Sequence, residues 1–481
     1  MKPMNTQKQT TPKDSVITGK QRNYNEIVEF LDAHWKVTDV ETELTALKQL
    51  DKAFDTVSQK VNIILITGTN GKSLTAHFTT KLLQEEGLTV GTCYSPHILT
   101  YNERFTIQNE SISNKAFADF CNEVINTASS MGLDLSSYSI LSMASVLYFH
   151  RNNVDVVVME AGQPEQCATA NIYTPKITVI TRVADPEIMG NAEETNALIQ
   201  GIMKFVHKNT HVISADQNKA NLQSMHNLVE ERGGVWAMPI RKLAPLTYPF
   251  EQLHGRCAAL AERAAYIYIN NFANKDAVLV NNSFLTKQKG QRGRPTLEAK
   301  RQSELHPKKT VEQFWKDVQN TLPGRFQLFE KEKPTILLDN ASNLDALKNI
   351  LLGTRLLHYQ RPLKGLTIIL GCNNQSIDIT EMLRVLRYFF KKTSGQVIVC
   401  PVDPLPGHSG DKAWDVEKIT NDIRSMKVKA RAAHSFKEAF EAAQASVDER
   451  HGLVIVTGSS SIITEYWKYK GIKKVTPTPA A

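Results

Sequence analysis

Gly68, Gly71, Lys72 and Ser73 lie in the run VNIILITGTNGKSLTAHF, residues 61–78. Two glycines close together, followed at once by an ammonium and a hydroxyl, suit an anion. Glycine lets the backbone wrap closely around a phosphate. The N–H groups opening the next helix, and that helix's dipole, favour negative charge. Lys72 adds a point charge for terminal phosphates, and the Ser73 hydroxyl can bind Mg2+. The strict pattern G-x-x-x-x-G-K-[ST] asks for glycine at position 66, where Ile66 stands, so the run is a variant phosphate loop. A tight strand-to-helix turn with an incidental lysine is the plainer reading. The apolar strand before it and the helical pattern after it favour the phosphate. Kinases, GTPases, ATPases and ligases all use such a turn, so its surroundings must decide among them.

Holding that turn takes a buried strand with helices packed on both sides. From Val61 the chain alternates short β-branched runs (VNIILIT, VDVVVME, KITVITRV, THVIS) with segments of helical spacing. That alternation predicts βαβ units and a parallel sheet covered on both faces. A helical stretch, YNEIVEFLDAHW, precedes it. A second alternating series starts near Pro334: TILLD, GLTIILG, GQVIVCPV, VKARAA and GLVIVTGS, with helical segments such as NLDALKNILLGTRLLH and SFKEAFEAAQASVDER between them. Between the series, residues 285–309 are strongly basic and lack hydrophobic periodicity. They read as a solvated linker or surface insertion. Interleaved aromatics, which would support a nucleic-acid arm, are missing there.

The 481 residues, 41% hydrophobic and 22% charged, are ordinary for a globular protein of two to four domains. A net charge of +8 and a pI near 9.0 fit an anionic ligand such as a nucleotide and argue little for nucleic acid, so no nucleic-acid partner is expected. The cysteines (Cys93, Cys121, Cys167, Cys257, Cys372, Cys400) form no C-x-x-C pair and read as reduced thiols of a cytoplasmic protein. The N-terminus has charge but no apolar core of a secretory signal, and no apolar run is long enough for a bilayer. No membrane partner is expected.

In order and approximate spacing, ITGTNGKS, YSPHILTYNERF, VDVVVMEAG, LPGRF and ILLDNASN resemble the Mur ligase family, and within it the folylpolyglutamate and dihydrofolate synthetase branch. The resemblance runs from about Tyr24 to Tyr469, interrupted by the basic insertion. It implies an α/β protein with an N-terminal P-loop-type parallel-sheet ATPase domain (23–284) and a smaller, Rossmann-like C-terminal α/β domain (321–481). A disordered polar start (1–22) and a basic linker (285–320) complete that division. Proteins of this family join a carboxylate to an amine with ATP. The carboxylate takes the γ-phosphoryl group, and the amine displaces phosphate from the acyl phosphate. Catalysis is then mostly positioning and charge neutralisation in a site shielded from water.

Carried over residue by residue, the resemblance puts Gly68, Thr69, Asn70 and Gly71 around ATP. Lys72 would contact the β- and γ-phosphates. Ser73 and Glu160 would share the first Mg2+; Glu160 ends its strand, where open α/β sheets bind ligands. Arg325 would reach the ATP phosphates, Asp339 the ribose, and Asn343 would brace that loop. Ser95, Pro96, His97 and Arg104 would line the side of the acid substrate. A surface glutamate, a junction arginine and a helix-capping aspartate are the plainer readings of Glu160, Arg325 and Asp339. Small-molecule substrates (ATP, a folate-like acid, glutamate) and a monomer are the implied partners and state.

Several motifs depart from the family's pattern. The segment GQPEQCATAN keeps Gly162 and Asn171 but has Ala168 in place of an aspartate. Asp185 stands near the place of a histidine that binds a second Mg2+, and a carboxylate is a reasonable substitute. Ile199 replaces a lysine that the family carbamylates, and Lys204 lies at an offset that turns it to another helix face. Gly255 and Ala258 fall where a glutamine and an asparagine would hold adenine. Ser342 replaces a histidine in DNASN. A divergent active ligase and a nucleotide-binding relative without ligase chemistry both fit this pattern. A small-molecule kinase or ATPase explains Lys72 and Ser73 but leaves the second α/β series without a role.

Overall fold

The computed structural model describes residues 19–35, 39–162, 172–183, 192–216, 218–239, 251–273, 314, 322–371, 379–403 and 414–473. The first lobe opens with helices α1 (Tyr24–Ala33) and α2 (Val40–Ala53). A reciprocal capping box starts α1: Asn23 accepts from the Glu26 N–H, and Glu26 accepts from the Asn23 N–H. Strands β1 (Ile63–Thr67), β2 (Val90–Cys93), β3 (Phe105–Ile107), β4 (Glu110–Ser111), β5 (Val156–Glu160), β6 (Ile177–Ile180), β7 (His211–Ser214) and β8 (Val235–Ala237) form one eight-stranded sheet, in the order β4-β3-β2-β5-β1-β6-β7-β8. It is parallel except for the β2–β3–β4 edge. The two central strands are buried at every position, which is why they read as unbroken apolar runs rather than alternating ones.

Among the described residues, this lobe also has helices α3 (Lys72–Glu85), α4 (Asn114–Ser130), α5 (Ser137–Arg151), α6 (Ala192–Met203), α7 (Lys219–Glu231) and α8 (Glu251–Asn271). The second lobe has strands β9 (Gln327–Phe329), β10 (Thr335–Asp339), β11 (Leu366–Leu370), β12 (Gln396–Val399), β13 (Ala430–Ala432) and β14 (Leu453–Thr457), ordered β13-β12-β11-β14-β10-β9. Only β9 runs antiparallel among its pairings. Its helices are α9 (Leu344–Gln360), α10 (Ile379–Phe390), α11 (Val416–Ser425), α12 (Phe436–Ala445) and α13 (Ser460–Tyr469). The fold is therefore α/β with two largely parallel sheets, as the alternating series predicts. The antiparallel edges, short and partly polar, are what that series does not reveal.

Among the described residues, two apolar clusters join the lobes. Leu74 and Phe78 of α3, with Cys257, Ala258 and Ala261 of α8, pack into the cluster containing Phe326, Leu337 and Leu347 of the second lobe. Phe78 is fully buried there, and a phenylalanine so buried contributes about 2–3 kcal/mol. In the second cluster Ile98 packs with Ile336, Leu338, Ile462 and Ile463, and its carbonyl accepts from Thr464 Oγ1 at 2.8 Å. The basic segment and the expected linker fall almost wholly outside the described residues.

Candidate active site

β1 ends at Thr67 and α3 begins at Lys72, so residues 68–71 make the turn between them. Gly68 has φ +120° and Gly71 φ +89°, the region that favours glycine. Space demands glycine as well: a Cβ at Gly68 would lie 2.5 Å from Thr181 Oγ1, and one at Gly71 3.0 Å from Cys257 Sγ. β6 and α8 therefore press the loop from behind. Lys72 Nζ donates to the Gly68 carbonyl at 3.0 Å and to the Thr69 carbonyl at 3.2 Å. The ammonium thus lies over the loop's own backbone, where terminal phosphates would sit in a phosphate loop.

Parallel pairing sets Ile66 opposite Glu160, which brings the end of β5 to the mouth of this loop. Ser73 Oγ donates to Glu160 Oε1 at 3.0 Å, and the Ser95 N–H donates to Oε2 at 3.3 Å. Glu160 is buried, 4% exposed. Burial raises its pKa above the ordinary carboxylate value; Lys72, Arg325, the Ser73 hydroxyl and the Ser95 N–H work against that rise. From the second lobe, Arg325 Nε reaches Ser73 Oγ at 3.4 Å. Lysine, serine, glutamate and arginine from three places in the chain thus surround one point. A carboxylate and a hydroxyl side by side suit a hard cation that keeps phosphate and water oxygens as its other ligands. Among the described residues no cluster of three or more His, Cys, Asp or Glu side chains gathers to hold a metal.

Asp339 ends β10 and accepts from the Phe326 N–H at 2.9 Å. Burial pushes its pKa up to about 7, against the pull of that N–H, Arg325 and the Ala341 N–H. It does not cap α9. Asn343 does, accepting from the Ala346 N–H at 2.9 Å. Asn343 also pairs with Asn70 of the phosphate loop: Asn70 Nδ2 donates to Asn343 Oδ1 at 3.1 Å, and Asn343 Nδ2 donates back at 3.0 Å.

On the far side of Glu160, the segment from Ser95 to Arg104 curls under the same point. Arg104 Nε donates to His97 Nδ1 at 2.9 Å, and Nη1 to Ser95 Oγ at 3.4 Å. That geometry requires a neutral His97 with its proton on Nε2. Burial and the Arg104 charge hold its pKa well below the ordinary imidazole value. The guanidinium is 5% exposed and lies over the rings of Trp35 and Tyr101. No carboxylate among the described residues forms an ion pair with it. The Ser95–Pro96 peptide is cis. A small cleft, partly open to solvent, lies between this segment and α5, with Arg104, Ser95, Cys93, Tyr138, Ser145 and Glu160 in its wall.

Lys72, Ser73, Glu160, Ser95, His97, Arg104, Arg325 and Asp339 are therefore brought together. Asp185 and the segment 163–171, with Ala168 and Asn171, lie outside the described residues. Ile199 is buried in an apolar cluster with Ile180 and Val183, and Lys204 is exposed. Ala258 packs into the apolar contact between the lobes and Gly255 is buried beside it. Two features escape sequence reasoning. One is the contact of Cys257 with the phosphate loop. The other is a set of polar contacts joining Asn70 to Asn343, Asp345 and Arg182. Residues 70 and 343 are 273 apart in sequence, and no local pattern couples them.

No protein-family model matches the chain. It is 29% identical to the dihydrofolate synthase/folylpolyglutamate synthase of Bacillus subtilis over 235 residues, 47% of this chain and 50% of that protein. It is also 29% identical to the folylpolyglutamate synthase of Lacticaseibacillus casei over 167 residues, 34% of this chain and 39% of that one. These alignments span half or less of the length of the curated relatives. The fold is similar over nearly the whole chain to two solved structures. One is the bifunctional folylpolyglutamate synthase/dihydrofolate synthase of Yersinia pestis complexed with AMPPNP and Mn ion, with TM-score 0.69, 19% identity and coverage of 96% of this chain and 100% of that one. The other is the Mycobacterium tuberculosis folylpolyglutamate synthase complexed with ADP, with TM-score 0.70, 18% identity and coverage of 95% and 99%. The chain is thus similar to the synthases of the branch that its motifs resemble, and it shares their two-lobed fold.

Proposed function

We propose that the chain is an ATP-dependent carboxylate–amine ligase, adding glutamate to a folate- or pteroate-type acid through an acyl phosphate. The observation that carries this reading is the convergence of Lys72, Ser73, Glu160 and Arg325 on one point. Two flanking features support it, the glycine turn on one side and the Arg104 cleft on the other. Curated relatives are named for this activity, and two similar structures hold AMPPNP with a Mn ion and ADP.

In this reading ATP's phosphates lie along residues 68–73, with Asp339 on the ribose. Ser73 and Glu160 would hold a first Mg2+, and the resemblance assigns Asp185 to a second. A bound Mg2+ supplies charge neutralisation for the transferred phosphoryl group. Lys72 and Arg325 add two cations to the same oxygens, one from each lobe. The acid's carboxylate oxygen attacks the γ-phosphorus and ADP leaves. The amine nitrogen then attacks the acyl carbon, and phosphate departs with the bond's electrons. Ser95, Pro96, His97 and Arg104 hold the acid from the far side of Glu160.

The reading takes residues 23–284 and 321–481 as the two domains, small molecules as partners, no nucleic acid, a monomeric state and a cytoplasmic place. Among the described residues no helix is long and apolar enough to cross a membrane.

Ile199 and Ala258, both buried, favour a second reading: a nucleotide-binding relative without ligase turnover. They stand where the resemblance expects a carbamylated lysine and an adenine amide. Two measurements separate these readings from a plain ATPase or kinase. A ligase is stabilised by ATP–Mg2+ and releases phosphate only when both acid and glutamate are present. A plain ATPase releases it without them. A non-catalytic relative gives the thermal shift alone.

A further inference from the structure

We infer that Asn70, Asn343, Asp345 and Arg182 form a latch that fixes the phosphate loop of the first lobe to the first turn of α9 in the second. The role is positional: the latch sets the loop's shape and the lobes' approach together. Its effect on nucleotide rests on the proposed binding of ATP at that loop.

The contacts form a closed circuit. Asn70 Nδ2 donates to Asn343 Oδ1 and, at 2.7 Å, to Asp345 Oδ2. Asn70 Oδ1 accepts from Asn343 Nδ2. Both donors and the acceptor of one amide are thus used across the lobe boundary. Asp345 Oδ1 pairs with Arg182 Nη2 at 2.7 Å, and the Asp345 side chain is 5% exposed. Arg182 follows β6, and its carbonyl accepts from the Thr69 N–H. Its backbone is also what Gly68 lies against: a Cβ there would be 2.9 Å from the Arg182 oxygen. Arg182 therefore holds the loop from behind while Asp345 and Asn343 hold it from the second lobe. The Asn343 Oδ1 that meets Asn70 also caps α9, so helix start and loop share one acceptor.

Among the described residues, Arg256 and Asp216 are neighbouring charges. Arg256 of α8 is partly buried; burial and the Arg182 charge disfavour its ionised form, and Asp216 and Asp345 favour it. The Asp216 carboxylate accepts from the Val183 and Asn218 N–H groups. Asp345 is thus the acid to which both the loop amide and the Arg182 guanidinium turn. Moving the second lobe away breaks three hydrogen bonds and an ion pair at once.

The test uses the full chain with Asn70→Ala, Asp345→Ala and the Asn70→Ala/Asp345→Ala pair. AMPPNP–Mg2+ affinity is measured by titration calorimetry. The inter-lobe distance is measured with dyes on Met131→Cys and Tyr359→Cys, two exposed positions, one in each lobe. Each single variant should weaken the nucleotide about tenfold, and the pair no more than the worse single, because one circuit is broken only once. The distance distribution should broaden in all three. Losses that multiply in the pair, or unchanged affinity with an unchanged distribution, overturn the latch. If Asp345→Ala does not fold, Asp345→Asn replaces it: it keeps the acceptor for Asn70, removes the charge facing Arg182, and should broaden the distribution as well. If the wild-type chain binds no AMPPNP, the nucleotide reading fails on its own. The distance measurement then decides the latch, an unchanged distribution overturning it.

Discussion

The Ser73 hydroxyl and the Glu160 carboxylate meet at 3.0 Å although they are 87 residues apart. Parallel register between β1 and β5 makes the meeting possible, because Ile66 and Glu160 are partners. The carboxylate stands level with the end of β1, beside the first turn of α3, where a phosphate-bound cation would need it. Its burial disfavours the charge, and a divalent cation at this point would favour it.

Glu160→Gln keeps the size and the acceptor for Ser73 but removes the charge. Turnover should fall by about 10^3-fold or more, with the fold retained by circular dichroism. Glu160→Ala should weaken the Mg2+ dependence of turnover much more than Asp185→Ala does. Equal effects in a Mg2+ titration would mean that the cation is held elsewhere.

Lys72→Ala should abolish ATP-dependent turnover and leave the fold intact. The ammonium donates to the Gly68 and Thr69 carbonyls. These are partly solvated backbone acceptors, and losing such contacts costs about 1 kcal/mol of stability. A thermal midpoint within a few degrees of wild type, together with lost phosphate release, is the expected pair of results. Full turnover in this variant would rule out a phosphate loop here.

Much of this site is legible in the sequence because its determinants are local. Strand, glycine turn and helix start follow one another within residues 61–78, and Glu160 ends an apolar run whose length marks a buried strand. Asp339 shows the limit. A short polar residue between a strand and a helix reads equally as a cap, and only three-dimensional packing gives the cap to Asn343. Asn70, Arg182 and Asp345 carry no local signal of their pairing. Each is an ordinary polar residue in a loop or first turn, and their pairing depends on how two separately folded sheets approach. The buried Arg104 is legible only as part of the NERF run; its lack of an acidic partner among the described residues emerges from the packing of Trp35 and Tyr101 over it.

Gly68→Ala should be far more damaging than Gly132→Ala. Both glycines have positive φ, +120° and +65°, so both substitutions are strained. At Gly132 nothing lies within 4 Å of the added carbon, whereas at Gly68 it meets Thr181 Oγ1 at 2.5 Å and the Arg182 carbonyl at 2.9 Å. The change at Gly132 should cost about 1 kcal/mol and the change at Gly68 about 3 kcal/mol or more. Urea unfolding of the two variants measures the difference; equal costs would mean that β6 does not clamp the loop.

Asp339 gives the chain a stability that depends on pH in an unusual direction. Its pKa rises from an ordinary 3.8 to about 7 in the fold, so between those values the folded state binds a proton that the unfolded chain has released. The contribution is full below pH 4 and is lost as pH climbs through 7. The whole shift corresponds to about 4 kcal/mol. Because the residue keeps some contact with solvent, about 2 kcal/mol is the better expectation. An asparagine in its place would face the same surroundings without ever ionising, and its side-chain oxygen could still accept from the Phe326 N–H. Asp339→Asn should therefore be more stable than wild type at pH 8, and the gap should close by pH 4. If Asp339 binds the ribose as proposed, the same change should weaken nucleotide binding at pH 8, because a charged acceptor for ribose hydroxyls is lost. Thermal unfolding from pH 4 to 8 with and without ADP reads both effects. A variant less stable than wild type at pH 8 would show that Arg325 compensates the charge in the resting chain, and that Asp339 needs no nucleotide to be ionised.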